Sequence, residues 1–336
     1  MNKKLLWIII VVILLGIVSV LYDSERPKET AQTSPSPSAG KLSVSHNLWP
    51  GYYPITIAKE MGFFKDEGIE VTTHFSEDQL PTVSEFYAKK YDVLALPLGS
   101  IVSASGKYPD ADVRVVYAID DSVGGDAVVA RAGIESVADL KGKSIGTALD
   151  GFGEVFVIEM LKSAGLTSDD VTLINADANQ VYERIKAGEI DAGHTWEPYI
   201  SRAVKAGGKV IFTSKQTPGL IVDVISFQGK IVDERPEDVK AFVRACDRAI
   251  EYWLANPEKT KALLMKSLNI SEDDIFLDGI KLLTVQDNQQ VFDKNYENSV
   301  YKNADIYSEF YLNNGTLSRK PDTSKMISSV ILTTDK

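Results

Sequence analysis

Three short runs carry aromatic rings, two of them beside acids: Trp49-Pro-Gly-Tyr-Tyr53, Asp150-Gly-Phe-Gly-Glu154 and Trp196-Glu-Pro-Tyr199. Rings supply flat apolar walls, and they attract a cation through their π faces. Carboxylates compensate a positive charge. Gly151 and Phe152 precede a helix start, whose free backbone N–H groups could instead hold an anion. Asp120 and Asp126 flank Ser-Val-Gly-Gly, expected to be flexible, and Asp223 interrupts the apolar run from Leu220 to Phe227. An unpartnered carboxylate in such a strand is costly, which marks Asp223 as more than packing. The candidate binding residues are therefore Trp49, Tyr52, Asp120, Asp126, Gly151, Phe152, Glu154, Trp196, Glu197, Tyr199 and Asp223. The plain alternatives are core or edge packing for the rings and helix capping for Asp150.

Other chemistry is excluded by spacing. Gly142-Lys143-Ser144 resembles the end of a phosphate-binding loop, but its first glycine would fall at Val137. Gly151-Phe-Gly153 lacks the third glycine of a dinucleotide fingerprint, and no G-x-S-x-G elbow occurs. The chain has one cysteine, Cys246, and three histidines, His46, His74 and His194, at no metal-helix spacing. No disulfide framework, Cys-rich metal site, cofactor or catalytic constellation is expected. Cys246 lies on an apolar helical stripe and reads as a buried, inert thiol.

These residues need elements to position them. In 336 residues, 44% are hydrophobic and 25% charged, so a folded body of one large or two smaller domains is expected. The net charge of −11 disfavours nucleic acid as a partner. Strand-like and helical patterns alternate from Leu42 onward. Strands are expected at 42–46, 69–74, 92–96 and 113–119, with helices from 53, over 80–90 and from 99. The second half repeats the plan, with strands at 144–147, 171–175 and 191–195. Helices follow over 153–164, 178–187 and 197–206. In both halves a helix rich in basic residues precedes an aspartate, Asp92 or Asp191, that opens an apolar strand. This alternation implies a mostly parallel α/β sheet in two similar lobes. A long amphipathic helix starts at Pro236, and Ser271 with Asp274 forms a capping box for a later helix.

Lys3 and Lys4 precede a run of 18 residues, 5–22, apolar but for Gly16 and Ser19 and at the lower limit for a membrane span. No cysteine follows the run, and bulky residues crowd the cleavage positions. A signal anchor or a signal peptide is expected over 1–22, the retained anchor being the preferred reading, with the chain beyond it outside the cytoplasm. Residues 23–40 are a Ser/Pro-rich linker. Residues 1–40 carry four bases and three acids, so the remainder bears −12.

With these segments in place, the chain resembles the type II periplasmic binding proteins of ABC importers, in the nitrate/sulfonate/taurine/thiamine-precursor branch. The resemblance rests on Trp49-Pro-Gly-Tyr-Tyr-Pro54, Ala58-Lys-Glu-Met-Gly-Phe-Phe-Lys-Asp-Glu-Gly-Ile-Glu-Val71, Asp139-Leu-Lys-Gly-Lys-Ser-Ile-Gly146 and Trp196-Glu-Pro-Tyr199. It implies a two-lobe fold, with lobe one over 41–121 and 222–336 and lobe two over 122–221. Hinges would fall near Ser122–Gly125 and Leu220–Asp223. It further implies a monomer that binds a small molecule between the lobes and delivers it to an ABC permease and its ATPase. One departure concerns the ligand: sulfonate binders tend to place small hydroxyl residues where Gly151 and Phe152 stand. The charge sign of the ligand therefore stays open, with cleft composition favouring a cation or amine. Alternatives are a ligand-sensing module and a thiamine-pyrimidine-synthase-like enzyme, which by resemblance needs a cysteine-rich motif.

Overall fold

The computed structural model describes residues 40–76, 79–275 and 277–328. The expected anchor at 1–22 and nearly all of the 23–40 linker lie outside them. Among the described residues, no helix is long and apolar enough to cross a membrane.

Eleven strands form two sheets among these residues. They are β1 Gly40–His46, β2 Ile69–Phe75, β3 Val93–Pro97, β4 Val113–Ser122, β5 Asp126–Ala130 and β6 Ser144–Thr147, then β7 Thr172–Asn175, β8 Ala192–Trp196, β9 Lys209–Thr213, β10 Val222–Gln228 and β11 Ile280–Leu282. The six-stranded sheet runs β11-β4-β10-β3-β1-β2, and the five-stranded sheet runs β7-β6-β8-β5-β9. The sheets are mixed, which corrects the expected mostly parallel arrangement. β1 is parallel to β2 and β3, and β6 to β7 and β8, as strand–helix–strand units require. β10 runs antiparallel to β3 and β4, and β5 antiparallel to β8 and β9. These antiparallel strands directly follow passages of the chain from one sheet to the other. It leaves the six-stranded sheet after Ser122 and returns to it at Val222.

The repeated pattern in the sequence has a physical counterpart. Asp92 Oδ2 accepts hydrogen bonds from Ser43 N at 2.8 Å and Ser43 Oγ at 2.9 Å, tying β3 to β1. Asp191 Oδ2 accepts from Ser144 N at 2.9 Å and Ser144 Oγ at 3.0 Å, tying β8 to β6. The clamp is the same in both sheets.

The Pro236–Ala255 helix buries Val239, Phe242, Cys246, Ile250 and Trp253, an apolar stripe at helical spacing. Cys246 is wholly buried, and burial pushes its thiol up, as expected for an inert group. Two expected elements are shorter than their patterns. The helix after residue 79 stops at Tyr87, before the positive φ of Lys89. The Ser271/Asp274 capping box forms both of its bonds, but caps one 3-10 turn, Glu272–Asp274. β4 is longer than its apolar run and takes in Asp120 and Asp121, so only residues 123–125 separate it from β5.

Candidate functional site

Two strand ladders bring the side chains together. Asp223 on β10 pairs with Pro97 on β3 and with Asp120 on β4. Across the other sheet, Asp126 on β5 pairs with Trp196 on β8. Pro97 and Trp196 end their strands, where ligands of parallel α/β sheets bind. Asp126 and Asp223 sit at the opposite ends of the antiparallel strands, so all four meet at one place.

Between them lies a narrow space, lined by Asn47, Trp49, Tyr52, Pro97, Asp126, Phe152, Trp196, Ile221 and Asp223. Both sheets contribute. The turn Pro50–Tyr52 fits close under β4 because residue 51 is glycine. A Cβ there would stand 1.9 Å from Asp120 Oδ2.

The carboxylates are deeply buried: Asp120 is 0% exposed, Asp126 2% and Asp223 2%. Trp49 Nε1–H donates to both Asp120 oxygens at 3.1 Å. Tyr52 O–H donates to Asp223 Oδ1. His194 Nε2 meets Asp126 Oδ1 at 2.9 Å, and Asp126 N–H donates to Ser122 Oγ at 3.1 Å. Burial holds the Asp120 carboxyl well above its ordinary range, and the neighbouring Asp223 charge adds to that. Asp223 is raised likewise by burial and by Asp126, against the pull of its hydrogen bonds to Tyr52 and Asp120. Phe152 stands perpendicular to His194 at 5.5 Å and tilted against Trp196 at 5.8 Å. These rings wall the five-stranded side.

The remaining expected residues are engaged elsewhere. Glu154 folds back onto its own helix start, accepting Asp150 N–H at 2.7 Å. Burial raises its pKa despite that bond. Gly151 precedes the Phe152–Ser163 helix as its N-terminal cap and does not line the space. Glu197 caps the Tyr199–Lys205 helix through Ser201 N at 3.0 Å and Ser201 Oγ at 3.0 Å. Tyr199 packs against Trp196 and beneath the Arg202 guanidinium, 5.4 Å from its ring, away from the lining. Asp120 lies behind Asp223 rather than on the lining itself. Asn47, Pro97, Ile221 and His194 are participants that the motifs did not mark. Asn47 and Pro97 follow or end strands β1 and β3, so the strand-end rule applied throughout would have found them. His194 is joined to Asp126 across 68 positions, and nothing local signals it.

Residues 49–260 match the NMT1/THI5-like family. The chain belongs to that family. A putative aliphatic sulfonates-binding protein of Bacillus subtilis is 23% identical over 286 residues, covering 83% of each chain. A 4-amino-5-hydroxymethyl-2-methylpyrimidine phosphate synthase of Candida albicans is 27% identical, covering 63% of this chain and 66% of that one. Among solved structures, the alkanesulfonate-binding protein SsuA of Xanthomonas axonopodis pv. citri superposes with a TM-score of 0.70 at 12% identity. It covers 88% of this chain and 99% of that one. The fold is the two-lobe α/β fold of periplasmic binding proteins.

Proposed function

We propose that this protein is an extracytoplasmic solute-binding protein that captures a small polar molecule between two lobes and delivers it to an ABC permease and its ATPase. The observation that carries the reading is the small cavity lined by side chains from both sheets, beside the two chain crossings. Lobe one is taken as 41–121 with 222–336, and lobe two as 122–221. The segments near Ser122 and Leu220 then act as hinges, and a ligand touching both lobes favours the closed state by its differential affinity. The apolar segment 5–22 would tether the body to the outer face of the cytoplasmic membrane.

A synthase reading draws on relatives such as the Candida enzyme. By resemblance that chemistry uses a cysteine-rich motif, whereas the sole cysteine here is buried in a helix stripe. The binding reading is therefore preferred. Native mass spectrometry of the purified protein should reveal a co-purified small molecule, and small-angle scattering should show compaction as that molecule is added back to stripped protein. Scattering that is unchanged at saturation removes the closing mechanism. N-terminal sequencing of membrane-extracted protein should begin before Tyr22.

A further inference from the structure

The cavity sets two buried carboxylates before a ligand. Asp126 and Asp223 present carboxylates to it, while the Tyr52 hydroxyl and Trp49 indole N–H, which could have donated, are spent on Asp223 and Asp120. His46 lies beside Tyr52. Its ring stands 6.3 Å away, Nδ1 is bonded to Asn47 O at 2.9 Å, and the buried Nε2 has no partner among the described residues. No Lys or Arg lines the space. Among the described residues no three carboxylate, His or Cys groups are placed to hold a metal ion.

We infer that the ligand is an organic cation, a protonated amine or amidine on a flat apolar body, with its charge held between Asp126 and Asp223 and its body between Trp49, Trp196 and Phe152. The inference rests on the cavity being the ligand site, as proposed above. A cation there compensates carboxylates that are otherwise buried side by side, and aromatic faces add cation–π attraction. Protons are the competing way to neutralise the same groups. Asp223 from β10 and Asp126 from β5 line the site, with His194 behind Asp126, and Asp120 and Asp121 on β4 act on Asp223 without lining the space. Tyr52 and Tyr307 approach from the helical side. Lys281 on β11 acts on Asp121. With so few bases nearby, acid must displace a bound cation.

Benzylammonium, benzyl alcohol and benzenesulfonate are matched probes of one shape and three charges. Calorimetry and thermal shift on the full-length chain, with each at up to about 10 mM, should show binding of benzylammonium alone. Its affinity should fall as the pH is lowered, because protons compete for the raised Asp223 carboxyl. Asp223→Asn and Asp126→Asn should each weaken it by about tenfold. The wild-type pH profile keeps the test decisive if a variant fails to fold. Preferential binding of benzenesulfonate, equal binding of all three, or no binding of benzylammonium overturns the cation assignment. Compaction in scattering with benzenesulfonate would do so while leaving the solute-binding reading intact. Probe binding with no compaction at all would instead count against lobe closure.

Discussion

Asp92 and Asp191 hold equivalent posts in the two sheets, each receiving a serine hydroxyl and a serine backbone N–H. For Asp191, burial pulls the carboxyl up, but bonds from Ser144 and Arg131 outweigh it and hold the pKa below the usual range. Its stabilisation is thus complete above the ordinary carboxylate pKa and is lost as pH falls through the folded value. Asp191→Ala should cost about 2 kcal/mol in denaturant unfolding at neutral pH, because the Ser144 N–H and O–H and the Arg131 guanidinium lose their charged acceptor. Asp121 behaves oppositely: burial raises it to about 7, with Lys281 pulling downward. A raised acid stabilises below the unfolded pKa and loses that contribution as pH rises through 7, by about 1.4 kcal/mol per unit. Between about pH 4 and 7, Asp121→Asn should flatten part of the decline in melting temperature relative to wild type. His46, held near 4 by burial, contributes the reverse slope, lost as pH falls from about 6.5. The comparison with Asp121→Asn cancels it. At Gly153, a Cβ would lie 2.4 Å from His194 Nδ1 and 2.9 Å from Thr147 Oγ1. Gly153→Ala should cost about 1–3 kcal/mol and weaken ligand binding through the displaced His194–Asp126 pair.

At the scale of elements, contacts beside the cavity join segments from opposite sides of the two chain crossings. Ser103 Oγ donates to Asp150 O at 2.6 Å, and Thr316 Oγ1 to Asp150 Oδ1 at 2.8 Å. Arg202, on the helix after β8, pairs with Asp274 at 2.7 Å. Arg202 is 53% exposed, so the pair contributes about 0.5–1 kcal/mol. Arg202→Ala should raise the ligand dissociation rate a few-fold in stopped-flow tryptophan fluorescence, with unfolding stability little changed. The crossing itself is held by Gly279 O, which accepts from Val123 N and Gly125 N at 2.8 Å each. Gly279 takes φ of +82°, and a Cβ there would strike the Gly124–Gly125 backbone. Gly279→Ala should therefore destabilise. The parallel units were legible because apolar strand and amphipathic helix patterns alternate with glycine and proline between them. The antiparallel β5 and β9 were not, since five apolar-rich residues among loops have no decisive period. Asp120 and Asp121 read as loop for a related reason. Local propensity disfavours acids in strands, and only the neighbours β10 and β11 keep them there. Of the cavity, the aromatic motifs were visible, while Asn47, Pro97 and the His194–Asp126 pair depend on contacts distant in sequence.

At the scale of the whole molecule, the −12 carried beyond residue 40 gives the body a net negative field. An organic cation should be steered inward, and salt should screen that steering. Association of benzylammonium, followed by tryptophan fluorescence, should slow severalfold between about 10 mM and about 300 mM salt. A rate independent of salt would show that global charge plays no part in capture. The path of the chain also has a consequence for synthesis. One sheet uses a contiguous stretch, 126–213, and can be completed as soon as that stretch is made. The other has β10 wedged between β3 and β4, so a gap with two raw edges persists until residues beyond 222 arrive. Such edges invite pairing with foreign strands. The newborn chain therefore passes through a stage in which half of it is finished and the other half is sticky, and translation or export must carry it past that stage quickly or under escort.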